Sequence, residues 1–134
     1  MTKIENIEAQ IYYLQSEIRQ NMTKYEWIAA ANLQPELIKL LKDKLNLDDK
    51  ATRNHTRFRL VMSLQDWAVS KIKSGRCDDA LLHLQETESM LYEIKVDGQN
   101  VTQLLLDGVK RKNIRLRNEA KEARESNREK VKLE

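Results

Sequence analysis

One cysteine, one proline and three glycines among 134 residues rule out several kinds of protein at the outset. A lone Cys77 cannot form an internal disulfide, and the N-terminus lacks the basic, apolar and small-residue succession of a secretory leader, so a reducing, cytoplasmic setting is expected. Folds assembled from many tight turns need more glycine and proline than this, which leaves an all-α architecture as the expectation. Long apolar runs are missing as well. The longest, such as Leu104-Leu105-Leu106, fall far short of the roughly 20 residues needed to cross a bilayer, so no membrane partner is expected.

Catalytic signatures are equally scarce. There is no glycine-rich phosphate loop, nucleophile elbow or dinucleotide fingerprint. Asp79 and His83 stand four apart on one prospective helix face, yet two ligands are fewer than the three or four of a zinc site. Cys77 near a helix N-terminus has no sequence-adjacent histidine or second cysteine to make it a nucleophile or redox centre. His55 and Asp78 add no constellation. The expectation is a protein that is not an enzyme, with no cofactor, no metal and no small-molecule substrate.

What the sequence does contain is charge, unevenly placed. The chain carries +3 overall, but residues 110–134 hold ten Lys/Arg against five Glu, a net +5 that leaves −2 for residues 1–109. Lys110, Arg111, Lys112, Arg115 and Arg117 form an acid-free cluster suited to nucleic-acid phosphates or an acidic partner. Beyond them helix formers predominate and glutamates intervene, which weakens a pure polyanion arm and suits a protein partner or solvent. Arg115–Glu119 and Lys121–Glu125 have the spacing of weak ion pairs within one helix.

The sequence signals imply about five or six helices, in a core of residues 1–109 followed by a basic helical extension, 110–134. Thr2 and Glu5 form a capping box opening a helix over 2–20. Its Ile4, Ile7, Ile11, Leu14 and Ile18 alternate at spacings of three and four, a coiled-coil seam that calls for a partner helix, either this chain's own or a second copy in a homo-oligomer. Thr23 and Glu26 repeat the capping box, so a second helix is expected from Thr23. Asn32-Leu33-Gln34 then reads as a turn and Pro35 as the first residue of the next helix. That helical corner over 23–45 has helix-turn-helix spacing, although its outward residues Glu36 and Asp43 outnumber Lys39 and suit DNA poorly.

Residues 47–54 read as a loop. A hairpin over 56–96 follows, with Phe58, Val61, Leu64, Ala68 and Ile72 on its first helix and Ala80, Leu81, Leu84, Leu91 and Ile94 on its second. Ala68, Gly75, Ala80 and Leu84 are similar to one tetratricopeptide hairpin, and the resemblance implies a local antiparallel helix pair. The echo between residues 2–10 and 23–31 is too short to establish a repeat. The last helix is expected to pack through Val101, Leu104, Leu105 and Val109 and then to leave the core.

Three functional expectations follow: a nucleic-acid or nucleoprotein binder using the basic C-terminal helix; a small protein-protein adaptor or inhibitor of the kind mobile elements and phages encode; and a helix-turn-helix regulator or packaging factor using residues 24–45.

Overall fold

A computed structural model describes residues 2–133, with side chains described to residue 130. The chain is all-α. Five helices lie in the described residues: α1 (Lys3–Thr23), α2 (Trp27–Leu47), α3 (Lys50–Lys73), α4 (Cys77–Leu91) and the long α5 (Gln103–Leu133). Each packs against its neighbour in sequence, and α3 also touches α5.

The turns explain this order. After α1 the amide of Glu26 donates to Asn21 O at 2.8 Å and that of Tyr25 to Met22 O at 3.1 Å. After α3 the amide of Arg76 donates to Lys71 O at 2.8 Å and that of Gly75 to Ile72 O at 3.1 Å. Both are Schellman closures, with a left-handed residue that turns the chain back on itself. In the second it is Gly75, at φ 80°; in the first it is Tyr25, at φ 61°. Thr23 therefore closes α1 instead of capping a new helix, and its hydroxyl donates back to Arg19 O at 2.8 Å.

Gly75 lies 50 residues after Tyr25, and at that same offset buried residues coincide: Ile11 with Val61, Leu14 with Leu64, Ile18 with Ala68, Ala30 with Ala80, Gln34 with Leu84 and Leu41 with Leu91. The molecule is two successive hairpins of one design, α1/α2 and α3/α4, followed by α5. The antiparallel pair expected around Ala68, Gly75, Ala80 and Leu84 is present. Its twin in residues 3–47 went unread because a tyrosine occupies the glycine position.

Several boundaries differ from expectation. There is no turn at residues 32–34: α2 runs unbroken, with Pro35 inside it. Pro35 removes one helical hydrogen bond, but its ring faces solvent while Ala30, Ala31, Gln34, Leu37, Ile38, Leu41 and Lys44 form one continuous buried stripe across it. Packing on both sides holds the helix together, so residues 24–45 are neither a helical corner nor a helix-turn-helix. The loop expected at 47–54 shrinks to Asp48 and Asp49, because Asp49 caps α3 by accepting from the Thr52 amide at 3.0 Å. Conversely α4 stops at Leu91. Asn54 clasps the connection to α5, accepting from the Lys95 amide at 2.8 Å and donating to its carbonyl at 2.6 Å. Asp97 Oδ1 accepts from the amides of Gln99, Asn100 and Val101, each at 2.9 Å.

The expected self-association seam is also accounted for. Ile7, Ile11, Leu14 and Ile18 are buried in one cluster with Leu37, Leu41, Leu60 and Leu64, leaving only Ile4 exposed. The partner helices are this chain's own α2 and α3, so an oligomer through this seam would require opening the core.

Two expectations can be measured. Nothing crowds a Cβ at Gly75, so Gly75→Ala should cost only the left-handed backbone penalty, about 1 kcal/mol, while Tyr25→Gly should gain up to about 1 kcal/mol; urea denaturation of both variants checks the pair. Stability should also fall in two stages on acidification. Burial holds the His83 and His55 imidazoles below their ordinary 6.5, so their contribution is present above that value and lost as pH falls through it. Asp97, held to about 2 by its backbone donors against an ordinary 3.8, loses its contribution between about pH 4 and 2. Thermal melts across pH should show both stages, with the lower one reduced in Asp97→Asn.

Candidate macromolecule-binding face on α5

The buried residues of α5 set its orientation. Leu106, Asn113, Leu116 and Ala120 are buried, with Val109 half-buried between them, a three-and-four seam that fits between α3 and α4. Leu116 and Ala120 share a cluster with Ala68, Ala80 and Leu84. Small residues there let three helices approach closely. Polar contacts fix the register: Gln65 Nε2 donates to Val109 O at 2.9 Å, and Asn113 Nδ2 donates to Leu84 O at 3.3 Å.

The division expected at residue 110 therefore does not separate core from extension, since Asn113, Leu116 and Ala120 belong to the core. Leu104 and Leu105, expected inside, are instead exposed. Thr102 caps the helix by accepting from the Leu105 amide at 3.2 Å, and that starting point turns Leu106 inward.

With α5 held this way, the five basic residues separate into two groups. Lys112 and Arg117 lean onto the body, Lys112 Nζ 3.8 Å from Asp66 of α3 and Arg117 Nη1 3.1 Å from Glu88 of α4. Lys110, Arg111 and Arg115 are exposed, and among the described residues no acid comes within 4 Å of them. The expected pairs Arg115–Glu119 and Lys121–Glu125 do not form among the described residues. Ion pairs run between helices instead, Arg124 reaching Asp78 of α4 at 3.4 Å.

At about 100° per residue, Lys110, Arg117, Lys121, Arg124 and Arg128 fall along one flank of α5, and Glu119, Glu122, Glu125 and Glu129 along the adjoining one. Charges that alternate in sequence thus segregate in part, Arg111 and Arg115 remaining on the glutamate flank. Lys121 and Arg128 extend the exposed basic flank, and a helical projection of residues 110–130 is the sequence signal that finds them.

Beside this flank α4 and α5 enclose a cleft of about 410 Å³, with Leu91, Ile94 and Ile114 among its apolar lining and Glu88, Lys110 and Arg117 among its charged lining. Tyr92, 85% exposed, stands at its edge, and Ile114 is 63% exposed. Neither was singled out in the sequence.

No protein-family model, curated protein or solved structure matches this chain.

The other polar candidates have structural contacts, although His83 Nε2 is buried with no hydrogen-bond partner among the described residues. Asp79 pairs with Arg76 at 3.0 Å and Lys71 at 3.7 Å, and the His83 ring stacks on Trp67 with centroids 3.7 Å apart. Cys77 is buried, and burial and Asp78 raise its thiol above the ordinary value. Among the described residues no three His, Cys, Asp or Glu side chains are grouped to hold a metal, and no helix is long and apolar enough to cross a membrane.

The seam makes a direct prediction. Ala120→Glu places an unpaired carboxylate between α3, α4 and α5 and should destabilise the protein by roughly 3–5 kcal/mol, whereas Glu122→Ala on the exposed face should stay within about 0.5 kcal/mol. Denaturant titrations distinguish them, and hydrogen exchange in Ala120→Glu should rise first along residues 116–130.

Proposed function

We propose that this protein is a non-enzymatic binding and assembly protein that uses the exposed, unpaired cations of α5 to hold nucleic acid or a nucleoprotein surface. The carrying observation is the division of charge along α5: Lys110, Arg111, Arg115, Lys121 and Arg128 stay exposed without acidic partners while Lys112, Arg117 and Arg124 secure the helix to the body. Exposed cations on a docked helix meet phosphates with little loss of backbone freedom, and release of condensed counterions supplies the affinity. Affinity of this kind comes from phosphate neutralisation, so binding is expected to depend on charge more than on sequence.

A second reading, a protein-protein adaptor, is favoured by the cleft between α4 and α5. Exposed Tyr92 and Ile114 beside Arg117 in its lining match the aromatic, aliphatic and Arg composition of protein interfaces.

Deleting α5 would expose the core, so charge substitution is the appropriate test. A variant with Lys110, Arg111, Arg115, Lys121 and Arg128 all changed to Gln should keep the native circular dichroism. Titrated against labelled duplex and single-stranded DNA and RNA, the unmodified protein should bind with affinity falling steeply with salt, the slope losing about 0.7–0.9 for each phosphate contact removed. Unchanged binding in the variant would reject the basic-flank reading. Absence of binding by either form would leave the adaptor reading, which Tyr92→Ala and Ile114→Asp then test by co-purification.

A further inference from the structure

The turn that closes α1 and the turn that closes α3 meet at a shallow hollow of about 430 Å³, whose lining includes Tyr25, Glu26, Trp27 and Ile28 from the first and Lys73 from the second. At the offset of 50 residues that relates the hairpins, the second turn supplies what the fold asks for: Gly75 at the left-handed position, a buried Cys77, and Asp78, an acid in the first turn of its helix. The first turn departs at each of these positions. Tyr25 holds φ 61° against the left-handed penalty and is 77% exposed. Trp27 is half-buried, with its ring centroid 5.9 Å from that of Tyr25. Ile28 is 67% exposed where an aspartate would favour the helix. Backbone strain and apolar surface that gain so little burial within the protomer mark a contact with something outside it.

The charges at the hollow identify the occupant. Glu26 and Lys73 are exposed, and among the described residues neither lies within 4 Å of an opposite charge. One acid and one base give no net attraction for a partner of a single sign, and Glu26 opposes a phosphate beside either ring. The two complement each other, however, once a two-fold axis brings two copies together, because every contact across such an axis is made twice. We propose that this hollow is where two copies of the chain associate, Tyr25, Trp27 and Ile28 of one packing on the same face of the other, with Glu26 of each copy against the partner's Lys73. Tyrosine and tryptophan are the residues that protein interfaces favour. Two rings and an isoleucine make a small contact, so the dimer is weak, with a Kd of about 10–100 µM. The α5 cations are not part of this lining, and association here does not depend on the binding proposed for α5.

Sedimentation equilibrium of the full chain from about 5 to about 500 µM should show its mass rise from monomer toward dimer. Tyr25→Gly and Ile28→Asp, each of which installs the residue of the second turn, should keep the fold and weaken association by roughly tenfold or more. Glu26→Lys and Lys73→Glu should each be monomeric alone, and their equimolar mixture should dimerise again, since that pairing restores both ion pairs across the axis. A role confined to the protomer predicts no such recovery. A monomer across the whole range overturns the proposal, as do association that Tyr25→Gly and Ile28→Asp leave unchanged and a mixture that stays monomeric. So does saturable binding of oligothymidylate that Tyr25→Gly abolishes, because the hollow then serves that ligand.

Discussion

The two hairpins are joined covalently by only two residues, Asp48 and Asp49, so their relative placement depends on what is buried at that joint. Lys44 Nζ lies 2.7 Å from Asp48 Oδ1, 3.2 Å from Thr56 Oγ1 and 3.5 Å from Glu8. Thr56 in turn donates to the second oxygen of Asp48. Arg59 of α3 forks onto Glu8 of α1 with contacts of 2.6 and 3.2 Å. Burial pushes the Glu8 carboxyl up, but Arg59 and Lys44 together hold it below its ordinary range. Ion pairs of this kind add little net stability, because desolvation offsets much of the attraction. They tie three helices together at the joint, Glu8 of α1, Lys44 of α2 and Asp48 meeting Thr56 and Arg59 of α3. Arg59 also lines a cleft of about 410 Å³ that opens between α1 and α3.

From the second hairpin outward the same logic operates with different chemistry. Alanines 68, 80 and 120 let α5 settle onto α3 and α4, and Gln65 and Asn113 lock its register through backbone carbonyls. A tandem array of hairpins needs a terminal element that is apolar on its inner side and polar on its outer side. Helix α5 fits that description, which is why a segment with so few large apolar residues still folds as part of the core.

The legibility of these features in sequence follows from their physics. Period and capping were readable, so the all-α class, the start of α1, the α3/α4 hairpin and the aspartates opening α4 could be inferred from residues alone. The failures share a cause: tertiary packing overruled a local signal. Pro35 and Thr23 carry strong local preferences, yet a continuous buried stripe and a Schellman closure prevail over them. Tyr25 hid the first hairpin because left-handed backbone is ordinarily assigned to glycine. On α5 the basic cluster was plain, but which of its members face outward depends on the phase of the helix. That phase is set by Leu106 and Ala120, both ambiguous in a one-dimensional reading.

That dependence on phase separates folding from binding on one helix. Lys112, Arg117 and Arg124 meet acids of α3 and α4 at part-exposed positions, where each pair contributes at most about 1 kcal/mol but keeps the cations from turning outward. Lys110, Arg111, Arg115, Lys121 and Arg128 have no such tie among the described residues; Lys110, Lys121 and Arg128 share the flank next to α4, while Arg111 and Arg115 stand on the same flank as the glutamates. A helix with all its charges solvated would display no preferred face and would fray. Because α5 is pinned along its inner seam through Ala120, its remaining charge is held in fixed directions, Lys110, Lys121 and Arg128 on the flank next to α4 and Arg111 and Arg115 among the glutamates. Charge balance along the chain is therefore a poor guide to the field a partner meets, and the relevant quantity is the charge on the flank that the seam turns outward.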